Sequence, residues 1–138
     1  VTEPPTFERP PATIERLVGV YDADGGLVGE ARYVIGHLLG RLECALCDIT
    51  HGPLRRKRDF DALAARLGVP FELVHRNERR PEVAAATGAA LPCVVAEVDG
   101  EVVTVLDRDD LRQCGGDVAA FEQRLRSALD ARTLRLPS

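Results

Sequence analysis

Cys44 and Cys47 are the residues whose type and spacing most directly suggest chemistry. They enclose Ala45 and Leu46. On a helical turn, residues three apart face the same way, so the two sulfurs suit a small-ring disulfide or two ligands of one metal ion. A thiol near a helix N-terminus has a depressed pKa because the amide dipoles favour the thiolate. The thiolate is the species that attacks in disulfide exchange. Glu43 and Asp48 flank the pair and oppose that depression, which predicts a reducing or sluggish couple rather than an aggressive oxidant. The plain alternative is a pair of buried small hydrophobes.

Metal binding is the chemical rival. Cys44, Cys47 and His51 spell C-x2-C-x3-H, with Cys114, Cys93 or His75 as a fourth ligand. Tetrahedral zinc takes such a set, and two or three thiolates satisfy copper(I). No second CxxC or HxxxH supplies a local partner. His51 has three readings: metal ligand, base for a cysteine, or packing beside the Gly52-Pro53 turn. His37, on a helix, and His75, at a strand end, read as structural. Asp22 and Asp24 close a strand near the cysteines, where they could accept protons, although a turn-forming role outweighs that. Calcium is excluded, because the later loop ligands are missing. No Ser/His/Asp elbow, phosphate loop or dinucleotide fingerprint is present.

The elements that must position these residues follow from periodicity. Leu17 to Tyr21 reads as a buried strand, and Asp22 to Gly26 as a turn. Val28, Ala31, Ile35, Leu38 and Leu42 recur at helical spacing, giving a helix over roughly 27–40. Phe60, Leu63 and Leu67 mark a helix over roughly 55–67, closed by Gly68. Phe71 to His75 is a strand, and Pro81 to Thr87 a short helix with proline at its start. Cys93–Val98 and Glu101–Leu106 form a hairpin at Asp99-Gly100. Val118, Phe121, Leu125 and Leu129 form a last helix capped by Asp117. Four prolines make residues 1–13 an extended arm, leaving 14–132 as one domain. This order predicts an α/β fold with a mixed sheet covered by helices.

Composition narrows the function classes. The chain has 138 residues, 45% hydrophobic and 29% charged, which allows a core without staples. A net charge of −4 offers no field for nucleic acid or an anionic membrane. The basic run Arg55 to Arg58 reads as a solvated helix start. No apolar run reaches the roughly 20 residues a membrane span needs. Four cysteines are too few for a disulfide scaffold, so a cytoplasmic location is expected. The chain opens on Val1 and holds no methionine, so its native start is expected to lie outside it.

The segment Asn77-Glu78, Pro81-Glu82-Val83-Ala84 and Thr87-Gly88-Ala89-Ala90-Leu91-Pro92 resembles the thioredoxin stretch that leads into its cis-proline. Cys93 to Val103 is similar to the strand, glycine turn and strand that follow. The resemblance to the thioredoxin-like superfamily covers about residues 53–130. It implies that Pro92 is cis and packs beside the active-site cysteines. It also implies that Gln113-Cys114-Gly115-Gly116 lies at the same edge, with Cys93 and Cys114 approaching Cys44 and Cys47. By the family's logic Cys44 attacks and Cys47 resolves. This chain departs from the pattern: a helix of about a dozen residues separates the first strand from the cysteines. Two registers follow. In one, that helix is an insertion and the cysteines open the helix that runs to Leu67. In the other, Asp22–Gly26 fills the active-site loop and the cysteines sit on an inserted one.

Three functions are therefore expected in order. The first is a thiol–disulfide oxidoreductase or redox sensor without cofactor, acting on protein or small-molecule thiols and disulfides. The second is a zinc- or copper-binding protein using Cys44, Cys47 and His51. The third is a non-catalytic thioredoxin-like adaptor.

Overall fold

The computed structural model describes residues 12–22, 45–50 and 58–137. The expected helix at 27–40, Asp24, His37, Cys44, His51 and most of the 1–13 arm lie outside the described residues. Cys47 is described only as a backbone position in a helix.

In chain order the described elements are β1 (Ala12–Thr13), β2 (Arg16–Val20), α1 (Ala45–Thr50), α2 (Arg58–Leu67), β3 (Phe71–Val74), a 3-10 turn (Arg76–Glu78), α3 (Pro81–Thr87), β4 (Cys93–Val98), β5 (Glu101–Leu106), α4 (Arg108–Gln113), α5 (Val118–Ala131) and β6 (Leu134–Arg135). Four strands form one sheet in the order β3-β2-β4-β5. The β2 and β3 strands run parallel, with Leu17 opposite Phe71 and Val20 opposite Val74. Strand β4 is antiparallel to β2, with Arg16 opposite Glu97 and Val20 opposite Cys93. The β4–β5 hairpin turns at Asp99 and Gly100, both at positive φ (51° and 77°), as a tight primed turn requires. Hence the chain is a mixed α/β fold, its mixed sheet flanked by helices.

Alternation along the strands divides the core. Leu17, Val94, Ala96 and Val98 face a large cluster built with Leu46 and Ile49 of α1, Phe60 and Leu63 of α2, Leu111 of α4, and Phe121 and Leu125 of α5. The alternate residues Val18, Val20, Cys93 and Val95 face a smaller cluster with Val83 of α3 and Leu91. Three rings lock the larger side. Phe60 meets Phe71 edge-on at 5.3 Å, and Phe121 lies 6.2 Å from both. The Asp117 cap follows the sequence, its carboxylate accepting from the Ala120 N–H at 3.0 Å; Asp107 likewise accepts from the Asp110 N–H at 2.9 Å.

The α4 helix was not expected, because one buried residue, Leu111, gives no periodicity to read. Strands β1 and β6, two residues each, pair in parallel with Ala12 opposite Leu134. No described helix is long and apolar enough to cross a membrane.

Gly19 lets α1 approach the sheet. A Cβ there would lie 3.0 Å from Leu73 Cδ2 and 3.1 Å from Leu46 Cδ2. Gly19→Val should therefore cost about 1–3 kcal/mol in urea unfolding, as overpacked cores do. A variant as stable as the parent would show that α1 tolerates displacement.

A surface tie joins α2 to α5. Arg66 donates to Glu122 at 2.7 Å, and Arg126 donates to the other carboxylate oxygen at 3.0 Å. The Arg66 hydrogen bond, with help from Arg126, holds the Glu122 carboxyl below its ordinary value of 4.5. A depressed folded pKa stabilises above the unfolded value, and that contribution is lost as pH falls through the folded value. Acidification below about pH 4.5 should weaken this tie, and Glu122→Gln should make stability fall less steeply there in pH-dependent melts.

Candidate functional site

The carboxyl ends of β2 and β3 meet the start of β4 and the start of α4 at one edge of the sheet. In open α/β sheets such edges are where ligands bind. Since Val20 is opposite Cys93, the next position along, Tyr21, falls opposite Pro92. The Leu91–Pro92 peptide is cis.

Tyr21 organises this edge. Its N–H donates to the Val74 carbonyl at 2.9 Å, which extends the parallel pairing by one residue. Its ring lies 5.1 Å from that of His75. Its hydroxyl shares a hydrogen bond of 2.9 Å with the Thr50 hydroxyl, at the end of α1. Both groups are out of water: Tyr21 is 4% exposed and Thr50 0%.

His75 forms a pair with Glu78. One Glu78 oxygen lies 2.7 Å from His75 Nδ1 and also accepts from the His75 N–H at 2.7 Å. The His75 backbone hydrogen bond, then the ring, hold the Glu78 carboxyl below its ordinary range. An ionised carboxylate only accepts, so Nδ1 carries the proton of this hydrogen bond. The His75 side chain is 27% exposed. The imidazole is thus oriented and reachable.

Arg108 covers the other flank. Its Nε donates to the Leu91 carbonyl at 2.7 Å, and a terminal nitrogen donates to the same oxygen. Leu91 lies outside the described strands, and these donors satisfy its carbonyl. Asp22 lies 3.6 Å from Arg76 and 3.9 Å from Arg108, linking the 3-10 turn to α4.

Pro92 and Tyr21 are therefore brought together, and α1, carrying Cys47, packs on β2 beside them. The described residues of α1 are Ala45–Thr50 and those of α2 Arg58–Leu67; Cys44 and residues 51–57 lie outside the described residues. Cys93 and Cys114 do not converge. Cys93 faces the α3 side, whereas Cys114 belongs to the opposite cluster, behind α4, which packs against α1. Cys114 donates its thiol to the Asp110 carbonyl at 3.4 Å. Among the described residues no three His, Cys, Asp or Glu side chains gather as a metal group. Cys44 and His51, the other donors of the zinc or copper set, lie outside the described residues.

Sequence reading missed Tyr21, Thr50, Glu78 and Arg108 as site residues. The spacing of His75 and Glu78 was the only local signal for any of them. The other contacts join residues distant in the chain, which no motif records.

Burial pushes the Cys93 thiol up to about 11, against a small opposing effect of Arg79. Burial also raises Cys114, opposed by Arg124 and reinforced by Asp110 and Asp117. At neutral pH the Cys93 thiolate fraction is about one in ten thousand. Both thiols should resist iodoacetamide in the folded protein and react once it is denatured. Rapid native labelling at either position would contradict this burial.

No known protein family, curated protein or solved structure matches the chain.

Proposed function

We propose that this protein is a thioredoxin-like dithiol protein whose Cys44–Cys47 pair carries out thiol–disulfide exchange. The observation that carries the reading is the placement of α1. This helix contains Ala45, Leu46 and Cys47, and it is packed on β2 and tied to Tyr21, the residue opposite Pro92. The parallel β2–β3 pair, the following antiparallel hairpin and the closing helix agree with the arrangement that the resemblance implies. So does the cis Leu91–Pro92 peptide.

The exchange balances as two displacements. The Cys44 thiolate attacks one sulfur of a substrate disulfide, forming a mixed disulfide and releasing one substrate thiolate, which takes up a proton. The Cys47 thiolate then attacks the Cys44 sulfur. This closes the Cys44–Cys47 disulfide and releases the second substrate thiol. The substrate gains two electrons and the pair loses them; a dithiol reductant of protein or small-molecule type restores it. No cofactor enters the cycle. Cys93 and Cys114 are buried thiols in opposite clusters, and the acidic neighbours Glu43 and Asp48 favour a reducing couple.

Equilibration with glutathione buffers should show one two-electron transition. After denaturation, oxidised protein should carry two alkylatable thiols and reduced protein all 4. Cys44→Ser or Cys47→Ser should abolish the transition. Failure of the disulfide to form at any poise would sink the reading. Stoichiometric zinc or copper, lost in Cys47→Ser, would replace it with the metal-binding one.

A further inference from the structure

We propose that the outer edge of β5 is a docking site for an extended peptide, basic at both ends and uncharged between, which adds to the sheet as a further strand. Cysteine chemistry plays no part in it.

Strands β3 and β5 are the outer strands of the four-stranded sheet. The hairpin fixes which backbone groups of β5 face outward. Val98 and Glu101 close its two-residue turn, and such a closing pair exchanges both of its hydrogen bonds. Glu97 and Val102, the next pair, therefore turn their backbone groups away from each other. The Glu97 carbonyl agrees, because it accepts from the Glu15 N–H at 2.8 Å, on the β2 side. Val102 thus directs its N–H and C=O outward. Thr104, two residues on and opposite Val95, does the same. Among the described residues no backbone group pairs with them. The register shift at Val94 and Val95 places Val105 as an extra residue in β5, so the regular edge ends at Thr104.

Exposed edges are usually guarded by charge, proline or shortness. Strand β3 has 4 residues and carries Glu72, which is ion-paired to Arg16 at 2.6 Å. Strand β5 has 6, and from Val102 to Leu106 it holds neither a charge nor a proline. Val102 is half-buried at the rim of the small cluster, and Val103 at the rim of the large one. A strand laid alongside would cover both valines and pair the open main-chain groups. Main-chain hydrogen bonds then supply the affinity.

The flanks identify the occupant. Asp99 and Glu101 at the hairpin end, and Asp107 and Asp109 at the α4 end, are all exposed. The one cation between them, Arg108, turns its guanidinium onto the Leu91 carbonyl. A second copy of β5 would set acids against acids in either direction, on a chain of net charge −4. An incoming strand with basic ends meets opposite charge at both.

The test titrates the isotope-labelled full chain with two blocked peptides, Arg-Thr-Val-Thr-Val-Thr-Arg and its counterpart with Glu at both ends. The Arg peptide should slow amide exchange at Val102 and Thr104 and leave Val103, already paired to β4, unchanged. The Glu peptide should bind roughly tenfold more weakly, and added salt should weaken the Arg peptide. Asp99→Asn combined with Glu101→Gln should weaken the Arg peptide roughly twofold to tenfold. Asparagine suits the positive φ of Asp99, so the turn is kept. No protection at Val102 and Thr104, or equal binding of the two peptides, would overturn the proposal. So would protection of those two amides that rises with protein concentration alone, because a second copy would then be the occupant.

Discussion

Strand β2 is hydrogen-bonded along both edges and buried on both faces, and the other described elements take their places from it. Its parallel pairing with β3 and antiparallel pairing with β4 leave its ladder groups satisfied by protein rather than water. Leu17, Val18 and Val20 are at most 1% exposed. Alternation then sends Leu17 into one cluster and Val18 and Val20 into the other. A slip by one residue would exchange the two faces, so the register of β2 is strongly specified. Gly19 adds a steric condition, since the missing side chain is what allows Leu46 to settle against the strand.

The polar edge follows from that geometry. Where β2 ends, the chain must leave the sheet, and Tyr21 and Asp22 are its last described residues there. Just before β4, Arg108 in the first turn of α4 satisfies the Leu91 carbonyl. His75 and Glu78 close β3 in the same way, by satisfying local backbone and side-chain groups together. Each of these groups answers a local hydrogen-bonding need, and together they surround the strand end opposite Pro92.

Much of the fold was legible because its signals are local. The Asp99-Gly100 pair placed both ends of β4 and β5. Pro81 and Gly88 bracketed α3, and Asp117 marked the start of α5. Those residues act through backbone geometry or capping within a few positions, which a sequence displays directly. The α4 helix was illegible because only Leu111 reaches the core from it. The site was legible only in part. Pro92 and the CxxC stand out as words in the sequence, but the Tyr21–Thr50 and Arg108–Leu91 contacts depend on how separate elements pack. The two-sided sheet also parted Cys93 from Cys114. A list of cysteines treats these as equivalent, whereas strand alternation does not.

The pairing of β1 with β6 has a consequence for synthesis. Thr13 and Arg135, which share a hydrogen bond at 3.2 Å, stand 122 residues apart. A hairpin such as β4–β5 can close as soon as it leaves the ribosome, because its ends are near in sequence. The small β1–β6 ladder must wait until nearly all of the described chain has emerged, and it then closes the longest loop among the described pairings. With only two residues in each strand, it is also the ladder that opens most cheaply. Among the described pairings, that of β1 with β6 is therefore the last to form on a nascent chain and the first to open in a folded one.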